Sequence, residues 1–213
     1  MSFLIMFIAG LLAKNSFSNL AGVNAKTVDD VSKLEFYVNP MDEFQLENLL
    51  KYEDEYVDES IECDNIVGVQ ALGEFGNFGM LTEKAKIVKV YKSKDYKVGE
   101  VVEIAHKNTF EEQKIGSFLY HGLAAPMTKG KKYLCFLSKC KKYEQLGLNV
   151  AENYGFYSCI CLDGNEEKLF DLNKKYKFSD LEGVDMMCET KEVYDVITRT
   201  EKRIVEKVME TYK

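Results

Sequence analysis

Residues 81–108, LTEKAKIVKVYKSKDYKVGEVVEIAHKN, and residues 126–139, PMTKGKKYLCFLSK, decide the fold class of this chain. Leu81 to Lys92 reads as one long strand, ended by the turn Ser93-Lys94-Asp95. Gly99 marks the entry to the next strand, Val101 to Lys107. There Val102, Ile104 and His106 share one face, and Val101, Glu103 and Ala105 share the other. Thr128-Lys129-Gly130 is a turn, and in Lys131 to Lys139 the residues Tyr133 to Leu137 are apolar on both faces. A short unbroken apolar run of this kind predicts a core strand covered on two sides.

The flanking sequence extends the pattern. Asn65 to Leu72, NIVGVQAL, predicts a strand with a bulge at Gly68. The glycines at 73, 76 and 79 have neither phosphate-loop spacing and lead into another strand, so GEFGNFG reads as a hairpin loop. Lys107 to Ile115 reads as a polar loop, and Gly116 to Gly122 as a further strand. Tyr154 to Leu162 is expected to pair with Lys168 to Leu172 across the turn Asp163-Gly164-Asn165. Upstream, Leu34 to Val38 reads as a first strand stopped at Asn39-Pro40, and the acidic run Met41 to Glu59 as a short helix or an edge segment. The end of the chain differs. Thr190 to Lys213 lacks Gly and Pro and repeats Val193, Ile197, Ile204 and Val208 at helical spacing, with Val205 and Tyr212 beside them. Thr190 is the N-cap, Glu192 sits in the first turn, and Asp195 and Arg199 are placed for an i,i+4 pair.

The 213 residues are 46% apolar and 30% charged, which suits one domain with a real core and extra segments. The net charge of −7 argues against a nucleic-acid partner, because phosphates repel an acidic surface. Charge is segregated locally. Lys129 to Lys142 holds six lysines and no acid, whereas Asp42 to Asp64 holds ten acids and one lysine. Both read as solvated faces that attract each other.

Phe3 to Ala13, FLIMFIAGLLA, is too short to span a bilayer but has the length of a secretory h-region. Val23-Asn24-Ala25 supplies a small-residue cleavage site before Lys26. The expectation is a secreted or extracellular protein, anchored by this segment where it is not cut, with membrane contact through the N-terminal segment only. In that setting Cys63, Cys135, Cys140, Cys159, Cys161 and Cys188 are candidate disulfide cysteines whose pairing the sequence leaves open. Cys159 and Cys161 lie two apart in a strand, hence on one face, about 7 Å apart and each within reach of a neighbouring strand. Cys135 and Cys140, five apart, lie on opposite faces if their strand is unbroken. Zinc binding by C-x4-C and C-x-C ranks well below thiols or disulfides, because no tight knuckle brings four ligands together. No metal or cofactor is expected.

At Ala85-x-Ile87-x-x-Val90-Tyr91-Lys92 and Gly130-x-x-Tyr133-Leu134-x-Phe136 the chain resembles the core strands of netrin-like, TIMP-like OB-fold domains, and small secreted bacterial proteins of the same pattern. The resemblance covers Asn65 to Leu162. It implies a mainly β fold with a C-terminal α-helix docked on an OB-like five-stranded β-barrel. The organisation expected is a signal peptide or anchor (1–25), an acidic lead-in (26–64), the barrel (65–189) and an amphipathic helix (190–213). The resemblance also implies an extracellular binding or inhibitory role. TIMP-like inhibitors present an N-terminal cysteine to a protease zinc, whereas the first cysteine here is Cys63.

For chemistry the sequence offers two histidines. His106 ends a strand on its apolar face and reads as a satisfied, half-buried side chain. His121, in YHGLAAP, is the better candidate base for a hydrolase or thiol enzyme paired with one of the cysteines. No nucleophile elbow, HExxH, P-loop or EF-hand loop is present. The leading expectation is therefore a secreted or cell-surface module that binds an extracellular protein or surface component without catalysis. A netrin-like protease inhibitor and a His121-dependent enzyme are the alternatives.

Overall fold

The computed structural model describes residue 32 and residues 34–77, 81–106, 108–114, 117–143, 148–164 and 166–213. The expected signal or anchor at 1–25 lies outside the described residues. Among the described residues eleven strands run in the order β1 (Glu35–Val38), β2 (Asn65–Asn77), β3 (Leu81–Lys92), β4 (Val101–His106), β5 (Thr109–Lys114), β6 (Ser117–His121), β7 (Lys132–Leu137), β8 (Lys141–Tyr143), β9 (Leu148–Glu152), β10 (Cys159–Cys161) and β11 (Tyr176–Lys177). Among the described residues the α-helices are α1 (Glu43–Lys51), α2 (Glu53–Glu62) and the C-terminal α3 (Lys191–Thr211). The protein is mainly β with a C-terminal helix.

The strands form two sheets, β10-β7-β2-β3-β4-β9-β8 and β11-β1-β6-β5. Neither is closed, so the five-stranded barrel expected from the resemblance is not what the ladders form. The physical reason lies at β9. It pairs in parallel with β4 through Ile104/Ala151 and Ala105/Glu152, but meets β7 only at the bridge Leu137/Asn153. Gly68 sits at a register shift of the β2–β3 ladder, as its place in the strand predicts.

β7 explains the architecture. Its two faces feed two different cores, which is why its sequence does not alternate. Leu134 and Phe136 join Ile66 and Ile160 beneath the helices, packed against Val193, Ile197, Ile204 and Val208. Tyr133, Cys135 and Leu137 turn the other way, to Val67, Val69, Ala85, Ile87, Val102 and Ile104. A third core joins Phe36, Phe110 and Tyr120 of the second sheet to Phe75, Leu81 and Phe170.

α3 forms as its spacing predicts. Thr190 caps it by accepting from Val193 N at 3.4 Å, and its four periodic apolar residues are 0–2% exposed. Each buried aliphatic side chain there contributes about 1.5–3 kcal/mol. α1 carries a capping box: the Asp42 side chain accepts from Phe44 N at 3.1 Å, and Gln45 Oε1 accepts from Asp42 N at 3.3 Å.

Several local expectations are corrected. Residues 109–114 are a strand, not a loop, paired with β6 at the edge of the second sheet. GEFGNFG is not a simple hairpin loop, since β2 runs on to Asn77. The acidic run at 41–59 is two helices rather than one element or an edge. β10 pairs with β7 and not with residues 168–172, where Leu169 bridges to Cys188. The turn residues instead serve β7: Asp163 accepts from Lys132 N at 2.7 Å, and Gly164 O accepts from Lys131 Nζ at 3.2 Å.

The acidic run also finds different partners. It faces α3, not the lysines at 129–142. Glu53 takes a two-point contact from Arg199, at 3.0 and 2.6 Å, and a further one from Arg203 at 2.9 Å. Arg203 reaches Asp54 at 2.5 Å, and Lys207 pairs with Asp58. Arg199 is thus engaged by α2, and Asp195 pairs with Lys191 in place of the expected i,i+4 partner.

Candidate functional site

Strand alternation places Leu81, Glu83, Ala85 and Ile87 on one face of β3, and all four are buried. A carboxylate on that face must be compensated. Glu83 receives the backbone N–H of Met127 on both oxygens, at 2.9 and 3.2 Å. The β3–β4 register sets Leu81 opposite His106 and Glu83 opposite Ile104, so Glu83 and His106 are diagonal neighbours on one face. His106 Nε2 lies 2.9 Å from Glu83 Oε2, with both side chains about 5% exposed. The contact has ion-pair distance without hydrogen-bond alignment.

On its other side His106 Nδ1 meets Asn153 Nδ2 at 2.8 Å. Asn153 stands at the exit of β9, fixed by its bridge to Leu137 and by its N–H donating to Ala105 O at 3.2 Å. With the Asn153 amide in this orientation its Nδ2 donates to Nδ1, which leaves Nε2 as the ring nitrogen on the Glu83 side. Asn153 Oδ1 accepts from the thiol of Cys159 at 3.6 Å, and Cys159 Sγ is 2.8 Å from Cys135 Sγ. A polar line, buried at Met127, Glu83, His106 and Cys135 and half-buried at Asn153 and Cys159, thus runs Met127–Glu83–His106–Asn153–Cys159–Cys135 through four strands and two connecting segments.

The line opens on a cavity of about 420 Å³. Its walls include His106, Asn108, Asn153, Ser158, Phe156 and Met186. Asn108 is 6% exposed and donates to Ala124 O at 3.0 Å, an oxygen that also accepts from Tyr120 Oη at 2.9 Å. Gly122 is needed there. Its φ of +131° is unfavourable for other residues, and a Cβ would sit 2.1 Å from Asn108 Oδ1. Burial, followed by the charge of Glu83, holds the Tyr120 phenol well above its ordinary pKa. A second cavity of about 450 Å³ lies between Leu72, Thr128 and Phe178, but its ionisable side chains (Glu74, Lys129, Glu182) are all exposed. The His106 cavity is the better site, because His106 and Asn108 are buried and His106, Asn108 and Asn153 are held by hydrogen bonds.

All six cysteines are free. Cys63 donates to Asn65 O and Leu137 O, and burial pushes its thiol pKa up. Cys161 is pushed up to about 11 by burial and then by Asp185, and Cys188 to about 12 by burial and then by Glu201. Cys159 is held well above its ordinary range by burial and then by Cys135. Cys140 lies beyond the end of β7, where it accepts from Tyr96 Oη at 3.5 Å, and borders the same core as Cys135. The strand between them is broken, so the opposite-face argument does not apply. Cys159 and Cys161 do face one core and each reaches β7, opposite Cys135 and Tyr133. Among the described residues no group of three or more His, Cys, Asp or Glu side chains converges as a metal site.

His121 ends β6 opposite Thr109, just before the wall residue Gly122. The structure thus gives the buried line to His106 and not to the histidine the sequence favours. A further buried acid, Glu201, lies on the inner face of α3 at 4% exposure. Burial, then the charge of Asp185, raises its pKa well above the ordinary carboxyl value. Asp185 in turn accepts from Cys161 N at 2.6 Å. Among the described residues no helix is long and apolar enough to cross a membrane. No protein-family model matches the sequence, and a search of curated proteins finds no match.

Proposed function

We propose that this chain is an exported, non-catalytic binding module that recognises an extracellular protein or surface component through the His106 cleft. The observation that carries the reading is the cleft itself. It is pre-formed, of a size that holds a side chain or small organic group, and combines apolar walls with the hydrogen-bonded amides of Asn108 and Asn153. The thiol environments favour binding over a thiol enzyme. A cysteine that turns over substrate rapidly at neutral pH needs a lowered pKa, and Cys63, Cys159, Cys161 and Cys188 are all raised.

Export rests on the apolar run Phe3 to Ala13 and the small-residue site at Val23-Asn24-Ala25. The netrin-like, OB-like arrangement belongs to the same proposal. It is supported by the antiparallel run β2–β3–β4, the parallel pairing of β4 with β9, and the approach of β9 to β7. At that approach Ser138 N donates to Glu152 O and Tyr154 N to Phe136 O, both at 2.9 Å.

The test is a ligand-observed NMR screen of small polar and apolar fragments against the full chain and against Ser158→Phe, which fills the cleft. Fragments that bind the native chain and lose contact in S158F are the expected result. The absence of such fragments overturns the cleft as the recognition site. Turnover of an ester or peptide by the native chain, lost in His106→Ala, overturns the non-catalytic reading.

A further inference from the structure

The pairing of β10 with β7 sets Cys159 directly opposite Cys135. Phe136 N donates to Ser158 O, and Leu162 N to Lys132 O. Hydrogen-bonded pairs alternate along an antiparallel ladder, so 158/136 and 162/132 make 159/135 a non-hydrogen-bonded pair. In that class backbones approach closest, with Cα atoms about 4.5 Å apart, inside the span a disulfide bridges. The sulfurs stand 2.8 Å apart, against about 2.05 Å in a disulfide, so a small side-chain movement joins them. The other thiols have other contacts: Cys63 with Asn65 O and Leu137 O, Cys140 with Tyr96, Cys161 with Gly164 O and Cys188 with Met186 O.

We propose that Cys135 and Cys159 form a thiol–disulfide exchange site, with a disulfide R–S–S–R as co-substrate, whose oxidation resets the hydrogen bonding of the His106 cleft. Cys159 is the entry sulfur, because it lies on a three-residue edge strand, whereas Cys135 lies on β7 inside the sheet and is fully buried. Its thiolate attacks one sulfur of R–S–S–R, breaking that S–S bond, forming Cys159–S–S–R and releasing RS⁻. The Cys135 thiolate then attacks the Cys159 sulfur, forming the intramolecular disulfide and releasing the second RS⁻. The protons of the two cysteine thiols pass to the two leaving thiolates. The protein loses two electrons, and R–S–S–R is reduced to two RSH. Burial holds the Cys159 thiol high, so the first step is slow at neutral pH and quickens as pH rises.

Oxidation removes the hydrogen that Cys159 donates to Asn153 Oδ1. The Asn153 amide then loses the partner that fixes its orientation and, with it, the donor that sets the tautomer of His106. Both residues line the cleft, so the redox state of the pair is written into the cleft wall. This consequence rests on the cleft being the recognition site; the exchange itself does not.

The test treats the folded, fully reduced chain with oxidised glutathione, followed by non-reducing peptide mapping and NMR of the histidine rings. The expected product is one cross-link between the peptides of Cys135 and Cys159. The other four cysteines stay open to alkylation after denaturation, and the His106 ring resonances move. Cys161→Ser keeps the cross-link and Cys159→Ser loses it, which separates two cysteines that share a peptide. A cross-link that survives C159S, a glutathione adduct that never resolves, or six unreacted thiols overturns the proposal. A cross-link that leaves the His106 resonances unmoved overturns its link to the cleft. These readouts use no cleft ligand, so they stand apart from the fragment screen.

Discussion

The outer face of α3 and the line behind His106 both tie distant parts of the chain together with polar contacts, yet they do so in opposite media. Arg199, Arg203 and Lys207 meet α2 with side chains 36–50% exposed. Glu83 and His106 meet at about 5% exposure. In water each ion pair is replaceable, because solvent and salt take over when a partner is lost. In the interior no replacement exists, and a lost partner leaves a desolvated group behind. The comparison teaches that the many contacts on α3 make a tolerant seam, whereas the few contacts around His106 make an intolerant one.

The largest expected effect comes from breaking the intolerant seam. Glu83→Ala removes the acceptor of Met127 N and the partner of His106 Nε2 at once. The expected loss is about 1–3 kcal/mol for each buried group left without a partner, read from urea unfolding. Glu83→Gln keeps an oxygen for Met127 N and should lose less. If E83A unfolds at the same urea concentration as the native chain, the buried line contributes nothing and the comparison collapses.

That seam was half legible in the sequence. Val102, Ile104 and His106 share a face in any strand reading, so a satisfied, half-buried histidine could be read directly; the structure buries it almost fully and leaves Nε2 at ion-pair distance from Glu83 without an aligned hydrogen bond. The signal for its partner was also present: Leu81, Glu83, Ala85 and Ile87 alternate inward, which puts one carboxylate on an apolar face. Asn153 carried no such mark, since it lies 47 residues from His106 and is delivered by the parallel β4–β9 pairing, a non-local event. Long local elements were read well. β3 spans the expected residues, and α3 starts at the expected cap. The misreadings share a cause, which is competition between local and distant partners. Residues 109–114 look like a loop because an edge strand can be polar, and their pairing with β6 is tertiary. Asp163-Gly164 looks like a hairpin turn, but its side chain and carbonyl are claimed by β7.

Glu201 extends the comparison to the two faces of one helix. It sits on the inner face of α3, where burial and Asp185 raise its pKa well above 4.5. An acid with a raised folded pKa favours folding when protonated, so it is least harmful below about pH 4.5 and opposes the fold increasingly as pH rises from there towards the folded value. Glu201→Gln is therefore expected to leave thermal stability nearly unchanged at low pH and to raise it at about pH 8. Thermal melts of both proteins across pH decide the matter. A variant that is destabilised equally at all pH values shows that Glu201 is valued for a contact and not tolerated as a buried acid.

On the outer face the sign reverses. Hydrogen bonds from Arg199, outweighing its partial burial, and then from Arg203 hold the Glu53 carboxyl at about 2. Its contribution is fully present above the unfolded value of 4.5 and disappears as pH falls through about 2. With partners 40–50% exposed, that contribution is screened to about 1 kcal/mol. Glu53→Gln should lose that amount at neutral pH in low salt, lose less in high salt, and match the native chain in strong acid. An effect that is independent of salt breaks the claim that this seam lies in water.

The smallest effect is the sharpest test of tolerance. Lys207 pairs with Asp58, whose side chain is 69% exposed, at the far end of the same seam. Lys207→Ala removes one exposed pair, worth about 0.2–1 kcal/mol, and replaces lysine by the best helix former, which returns part of the loss. The expected change in the urea midpoint is close to the error of measurement, and the α2–α3 contact survives on Arg199 and Arg203. A loss as large as that of Glu83→Ala would mean that the pairs on α3 act as one cooperative unit. In that case exposure alone would not separate the two seams, and the number of mutually oriented partners would be the controlling variable.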